Sequence, residues 1–237
     1  GILKAVAEKL WLPSKGVIAE YVDTVGNKLV HPSPELSTIY LSIENGLADM
    51  FQAYRMLRFT ETDLRNERTL NSDGRLVYSS NWLPKKYSTC GLFPSENIHL
   101  ALVYFQLGLK EKGLEILDAL KDSYFNGRGP GLTSHVLTGY GAGDLGDLDF
   151  SDVSSMYLRL VVEGLYGIRF HLIDEYIEIA PNFPVDWTTA NLKLKDISLN
   201  YYRDGNQENF NLFTEIKASK KLRIAMRSTD VEAIFLN

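Results

Sequence analysis

Apolar positions keep a helical spacing through most of this chain, and change to strict alternation only after about residue 170. Leu3, Val6, Ala7 and Leu10 recur every three or four residues, so 2–10 reads as the last turns of a helix. The stretch 11–34, with three Pro and two Gly, reads as a long connection holding one short strand over 17–22. Ile39, Ile43, Leu47, Met50, Phe51, Tyr54 and Leu57 predict helix over 35–59, with Gly46 dividing it in two. Residues 60–95 are loop-rich, with a strand expected at 75–79 and an aromatic loop at 81–87. Ser95 is the expected N-cap of a helix that runs to Leu107 and stops at Gly108. A second amphipathic helix over 110–124 follows at once, carrying Leu114, Leu117 and Leu120, which makes an αα-hairpin.

The glycine-rich segment 126–150 reads as a loop, and a helix is expected over 152–166. Met156, Leu158, Leu160, Val161 and Leu165 cover much of its circumference, the pattern of a buried helix. From His171 the period becomes two, through Tyr176–Ile179, Leu192–Leu199, Phe210–Ile216, Leu222–Met226 and Val231–Phe235. This predicts about five antiparallel strands with a turn at Asp204-Gly205. The fold class expected is therefore mainly α with a C-terminal all-β part: helical hairpins over 1–170 and an antiparallel β domain over 171–237.

Composition narrows the function classes. With 45% hydrophobic and 23% charged residues, the chain can bury a core. A net charge of −5, with no basic run longer than Lys85-Lys86 or Lys220-Lys221, argues against a nucleic-acid partner and favours a neutral substrate. No stretch approaches the length of a membrane span, so no membrane partner is expected. The single cysteine, Cys90, excludes an intrachain disulfide framework. The 13 Tyr, 11 Phe and 3 Trp serve a hydrophobic core first, and a sugar-stacking cleft second.

Several motifs fail on context. Gly141-Ala-Gly143-Asp-Leu-Gly146 spells a dinucleotide fingerprint, but no strand precedes it and Asp144 and Asp147 would repel a pyrophosphate. Asp147-Leu-Asp149-Phe-Ser151 starts like a calcium loop but has Asp152 and Leu158 where a glycine and a glutamate belong. Ser151 or Asp152 would instead cap the following helix. His31, His99, His135 and His171 include no pair at helical zinc spacing, so neither a metal nor a cofactor is expected. His99 is expected to pack or hydrogen-bond within its own helix, while His31 and His135 lie in loops that could offer hydrogen bonds to sugar hydroxyls.

The carboxyls carry more chemistry. Glu96 falls in the first turn of a helix that becomes apolar further along, after a loop holding Trp82, Tyr87 and Phe93. Aromatic surroundings raise a carboxyl pKa, as a general acid needs, whereas the helix N-terminus favours the ionised form. The plain alternative is an ordinary first-turn glutamate. Glu20 and Asp23 sit in the loop after Trp11, and Asp149 and Asp152 precede the last helix. Glycoside cleavage uses two such groups, one acid and one base or nucleophile.

The phrases LWLPSKGVIAEYVD, STIYLSIENGLADMFQAYRMLRF, NWLPKKYST with SENIHLALVYFQLGLKEKGLEIL, and YFNGRGPG with DFSDVSSMYLRLVVEGLYGI together resemble the six-hairpin glycosidase superfamily, whose enzymes are built on an (α/α)6 toroid. IEIAPNFPVDW is similar to the entry into the C-terminal β region of such proteins. The resemblance spans about residues 3–200. It implies a cleft at one end of the ring, lined by loops leading into inner helices, and a carbohydrate substrate. A full ring has more helices than this chain holds, so the remainder would lie upstream in the parent chain or in another chain. The start at Gly1, inside a helix, fits a fragment.

The function expected is a glycoside hydrolase, with Glu96 as general acid and Glu20, Asp149 or Asp152 as base or nucleophile. Trp11, Tyr21, Trp82, His135 and Tyr140 are the expected subsite residues. One rival is a phosphorylase on the same architecture, for which Arg128 is the local anion-binding candidate; the other is a non-catalytic carbohydrate-binding or scaffold module. The sequence leaves the compartment unknown, and the periplasm or the cell exterior fits a polysaccharide-degrading enzyme.

Overall fold

The computed structural model describes residues 1–65, 76–83, 89–125, 151–216 and 221–225. Asp149, His135, Tyr140, Arg128, Arg75, Tyr87, the glycine-rich loop and the expected last strand at Val231–Phe235 fall outside the described residues. Two compact units divide the chain, Gly1–Leu158 and Arg159–Asn237. The first is helical and the second consists mostly of β-strands.

The helical unit opens with α1 (Ile2–Lys9). The connection after it is not one loop with one strand. It folds as two small antiparallel hairpins, β1 (Trp11–Leu12) with β2 (Val17–Ile18), and β3 (Tyr21–Val22) with β4 (Val30–His31). The turn between β1 and β2 needs Gly16, whose φ of 73° lets its amide donate to the Leu12 carbonyl at 2.8 Å. Val17, Ile18 and Ala19 are then buried, and β2 packs against the next two helices.

Those helices are α2 (Leu36–Glu44) and α3 (Met50–Thr62). Gly46 divides them as expected, in the left-handed region at φ 67°. Asp49 then starts α3 with a reciprocal capping box: its carboxylate accepts from the Gln52 amide, and the Gln52 side chain accepts from the Asp49 amide.

No strand forms at 76–79; Val77 makes only an isolated bridge to Arg65. A side chain takes the place of a strand partner. Asn97, 0% exposed, accepts from the Val77 amide at 2.9 Å and donates to the Val77 carbonyl at 3.0 Å. This fastens the segment to α4 (Pro94–Leu107). Ser95 is not the cap of α4. Pro94 occupies the first helical position, where its fixed φ suits the helix and no amide is missed, so Phe93 is the N-cap and Ser95 lies inside. Gly108 ends the helix in the left-handed conformation, and α5 (Lys110–Phe125) packs back on α4.

In α4, Ile98 and every residue from Leu100 to Phe105 are buried. The last helix does not meet the expectation of a buried helix. There α6 (Ser151–Arg159) buries Val153 and Met156 but leaves Leu158 66% exposed. Ser151 and Asp152 are in its first turn rather than ahead of it. From Leu160 to Leu165 the helix widens to a π-helical turn, where the Tyr166 amide reaches back to the Val161 carbonyl.

The second unit holds two three-stranded sheets. One orders β10 (Lys221–Ile224), β6 (Tyr176–Ile179) and β5 (Ile168–His171). Here the expectation of a purely antiparallel domain fails, because β10 lies parallel to β6. Charge holds this register: the nearly buried Glu178 of β6 meets Arg169 of β5 and Arg223 of β10 directly across the strands. The other sheet is an antiparallel meander of β7 (Thr189–Lys193), β8 (Ile197–Asp204) and β9 (Gln207–Thr214). Its tight turn is Gly205-Asn206, one residue later than expected, with Gly205 at φ 57°. Phe183 anchors this unit's aromatic core against Tyr166, Trp187, Tyr201 and Phe210.

Candidate functional site

Three carboxyls of the helical unit come from the starts of three helices, and two of them act electrostatically on the third, Glu96. Glu35 is the N-cap of α2, Glu96 lies in the first turn of α4, and Asp152 in the first turn of α6. Glu96 is the deepest: its Oε2 is shut off from solvent and accepts no hydrogen bond among the described residues. Burial pushes its carboxyl up from 4.5 to about 7, and the charges of Glu35 and then Asp152 push in the same direction. The positive end of α4 opposes this shift, and desolvation with two like charges outweighs it.

Glu35 is half-buried and also held above its usual value, first by burial and then by the charge of Glu20, against a 3.3 Å hydrogen bond from the Ser37 hydroxyl. Asp152 is exposed. Tyr40, five residues past Glu35 and 8% exposed, has its phenol pushed up by burial and by the charges of Glu96, Glu44, Asp152 and Glu35. Its hydroxyl makes no hydrogen bond among the described residues.

A second layer holds this group in place. His99, one turn past Glu96 on α4, does not bond within its own helix as expected. Its Nδ1 lies 2.9 Å from Glu44 Oε1 of α2, with side-chain exposures of 17% and 7%. The imidazole also stacks on Tyr40, with ring centroids 4.3 Å apart and planes 5° from parallel. The pair therefore ties α2 to α4 and fixes the phenol that stands among the acids.

Glu20 has a definite role in this arrangement. Its Oε2 accepts from the Glu35 amide at 2.8 Å and from the Thr38 hydroxyl at 2.6 Å, at the start of α2. The hairpin that follows Glu20 carries an aromatic group: Tyr21 stacks on His31 at 5.0 Å, and Trp82 meets the same imidazole edge-on at 4.7 Å. The Trp82 indole donates to the Ser33 carbonyl, two residues before Glu35. His31 Nδ1 is buried without a partner among the described residues. Trp11 is engaged elsewhere, under the Arg55 guanidinium of α3. Among the described residues no group of three or more metal-ligating side chains converges. No described helix is long and apolar enough to cross a membrane.

The structure thus relates Glu96 to Asp152 directly and to Glu20 through Glu35, and groups Tyr21 with Trp82. Glu35, Tyr40 and Glu44 were not expected from the sequence. Glu35 had a local signal: Ser33-Pro34-Glu35 and Pro94-Ser95-Glu96 both place a glutamate behind Pro and Ser at the start of a helix. Tyr40 and Glu44 had none, since each reads as a position on an amphipathic helix.

No family model matches the chain, and no curated protein matches it. Among solved structures it is similar to one described as "Putative kojibiose phosphorylase from human microbiome". That likeness has 14% identity and a TM-score of 0.40, over 80% of this chain and 22% of the other. The chain thus spans about a fifth of that protein's length.

Proposed function

We propose that this protein cleaves glycosidic bonds, with Glu96 as the group that protonates the departing sugar oxygen. The observation that carries this reading is the Glu96 carboxyl itself: buried, without a hydrogen-bond partner among the described residues, beside other carboxyls, and raised to about 7. A carboxyl that keeps its proton near neutral pH beside other carboxyls has the property required of the acid half of a glycoside-cleaving pair. Proton transfer to the glycosidic oxygen breaks its bond to the anomeric carbon, and the second carboxyl assists attack on that carbon. Asp152 acts on the charge of Glu96 and Glu20 acts on that of Glu35, so both belong to the electrostatics of the site. Tyr21 and Trp82 offer ring faces and edges to a sugar, and the starts of α2, α4 and α6 would face the cleft of a helical toroid.

Hydrolysis is the reaction proposed, and the assay is turnover of oligosaccharides and aryl glycosides by the full-length protein, with and without phosphate. Wild type should turn over without phosphate. Glu96→Gln should lose a factor of about 10²–10⁴ on sugar leaving groups, which need the proton. It should lose far less on nitrophenyl glycosides, which do not need it. Undiminished cleavage of oligosaccharides by the folded variant removes Glu96 from the chemistry, and turnover that requires phosphate makes the enzyme a phosphorylase.

A further inference from the structure

We infer that Glu35 is the second catalytic carboxyl of this site, the base that takes a proton from the attacking water, and that Glu20 positions it by holding its backbone amide. This rests on the glycoside-cleaving reading of Glu96.

Glu35 stands at the N-cap of α2, with φ −69° and ψ 158°, and its side chain makes no capping hydrogen bond. The start of α2 is fixed by other groups: the Leu36 amide donates to the Ser79 carbonyl at 2.7 Å, and Glu20, 15 residues upstream, accepts at Oε2 from the Glu35 amide and from the Thr38 hydroxyl. Glu20 thus holds Glu35 by its backbone, and among the described residues the Glu35 carboxyl is left with one bond, from the Ser37 hydroxyl at 3.3 Å.

That arrangement is electrostatically costly. The groups facing Glu35 are Glu20 from the preceding connection, Glu96 from α4 and Tyr40 from its own helix, with Asp152 of α6 acting on the last two. None is a cation, and among the described residues no lysine, arginine or histidine pairs with Glu35. A helix start that merely needed a cap would be more stable with a serine at 35. Like charges gathered without a counter-ion belong to a site where one carboxyl must hold a proton and another must accept one.

A second observation points to a ligand. Tyr40 is 8% exposed and stands among the same acids, yet its hydroxyl has no protein hydrogen-bond partner among the described residues. Its oxygen, unlike Glu96 Oε2, is not shut off from solvent, so a bound molecule can reach it. Stacked on His99, which Glu44 holds, it is fixed in that place and free to bond a substrate hydroxyl or the attacking water.

The step balances simply. Glu96 gives its proton to the glycosidic oxygen as the bond to the anomeric carbon breaks. Water bonds to that carbon and passes one proton to Glu35. The products are the shortened sugar and the released alcohol, with Glu35 protonated and Glu96 ionised until solvent resets them. Glu35 is preferred over Asp152 because Asp152 is solvent-exposed, whereas Glu35 is half-buried.

The test uses the full-length protein and compares Glu35→Gln with Glu96→Gln. Glu35→Gln should lose a factor of about 10²–10⁴ on oligosaccharides and nitrophenyl glycosides alike, since the base is needed whatever the leaving group. Glu35→Ala should regain turnover in azide, which attacks without a base, and should release a glycosyl azide of inverted configuration. Glu20→Gln keeps an acceptor for the α2 amide but removes the charge next to Glu35. It should move the acidic limb of the pH–rate profile to lower pH. Wild-type hydrolysis by Glu35→Gln overturns the inference and leaves Glu96 as the acid. Oligosaccharide cleavage undiminished in Glu96→Gln overturns the reading of Glu96. Absence of turnover by wild type overturns both.

Discussion

Glu96 should make this protein less stable as pH rises through neutrality, and replacing it should remove that dependence. Its carboxyl ionises at about 7 in the folded chain against 4.5 for a free glutamate. Below the lower value the group is protonated in both states and contributes no difference. Between the two values the unfolded chain loses the proton while the folded chain keeps it, so folding stability falls with rising pH. Above the higher value the loss is complete, and a displacement of that size corresponds to about 3 kcal/mol. Glutamine has the same shape and no proton to lose.

The difference in unfolding free energy between Glu96→Gln and wild type should therefore grow in favour of the variant, by about 3 kcal/mol from pH 4 to pH 8. For a domain with a urea slope of about 2–3 kcal/mol per molar, this moves the midpoint by about 1 M. Urea titrations followed by far-ultraviolet circular dichroism at several pH values give the number directly. Any fixed effect of the amide cancels, because only the change with pH is compared. A difference that stays constant across this range would refute the argument, and with it the assignment of a neutral Glu96.

Two structural predictions follow from the elements that carry the site and the second unit. Asn97→Ala strips both partners from the buried Val77 backbone and should cost about 2–3 kcal/mol in denaturant unfolding. Gly167→Ala combines a φ of 68° with a Cβ that would lie 1.9 Å from the Ala180 carbonyl oxygen, so it should cost about 3 kcal/mol or more, read as loss of β signal in thermal melts.

The elements legible in the sequence are those whose causes are local. Gly46 and Gly108 end helices because the backbone there must enter the left-handed region, and the residues that say so are the glycines themselves. The apolar spacing of α2 to α5 is likewise written within each helix. The misreadings have longer reach. Two-residue strands such as β1 and β3 are too short to show a period of two, so 11–34 reads as a loop. The segment at 76–79 alternates like a strand, but its ladder is supplied by Asn97 from 20 residues away. The parallel placement of β10 on β6 depends on where the chain returns, which alternation does not encode.

The site divides along the same line. Glu96 is visible because its helix start and its apolar continuation are contiguous. What surrounds it is not: His99 finds Glu44 across 55 residues, and Tyr40 gains its setting from α4 and α6. Glu35 shows how far the effect goes. Read locally, a glutamate after Pro34 at a helix start is a favourable charge near a helix dipole, with nothing left to explain. Only the arrival of Glu20 at the Glu35 amide changes that reading, because it sets a second carboxylate beside the first with no cation among the described residues paired to Glu35. A carboxyl crowded in this way by a residue 15 positions upstream is one that no inspection of its own neighbours in sequence could reveal.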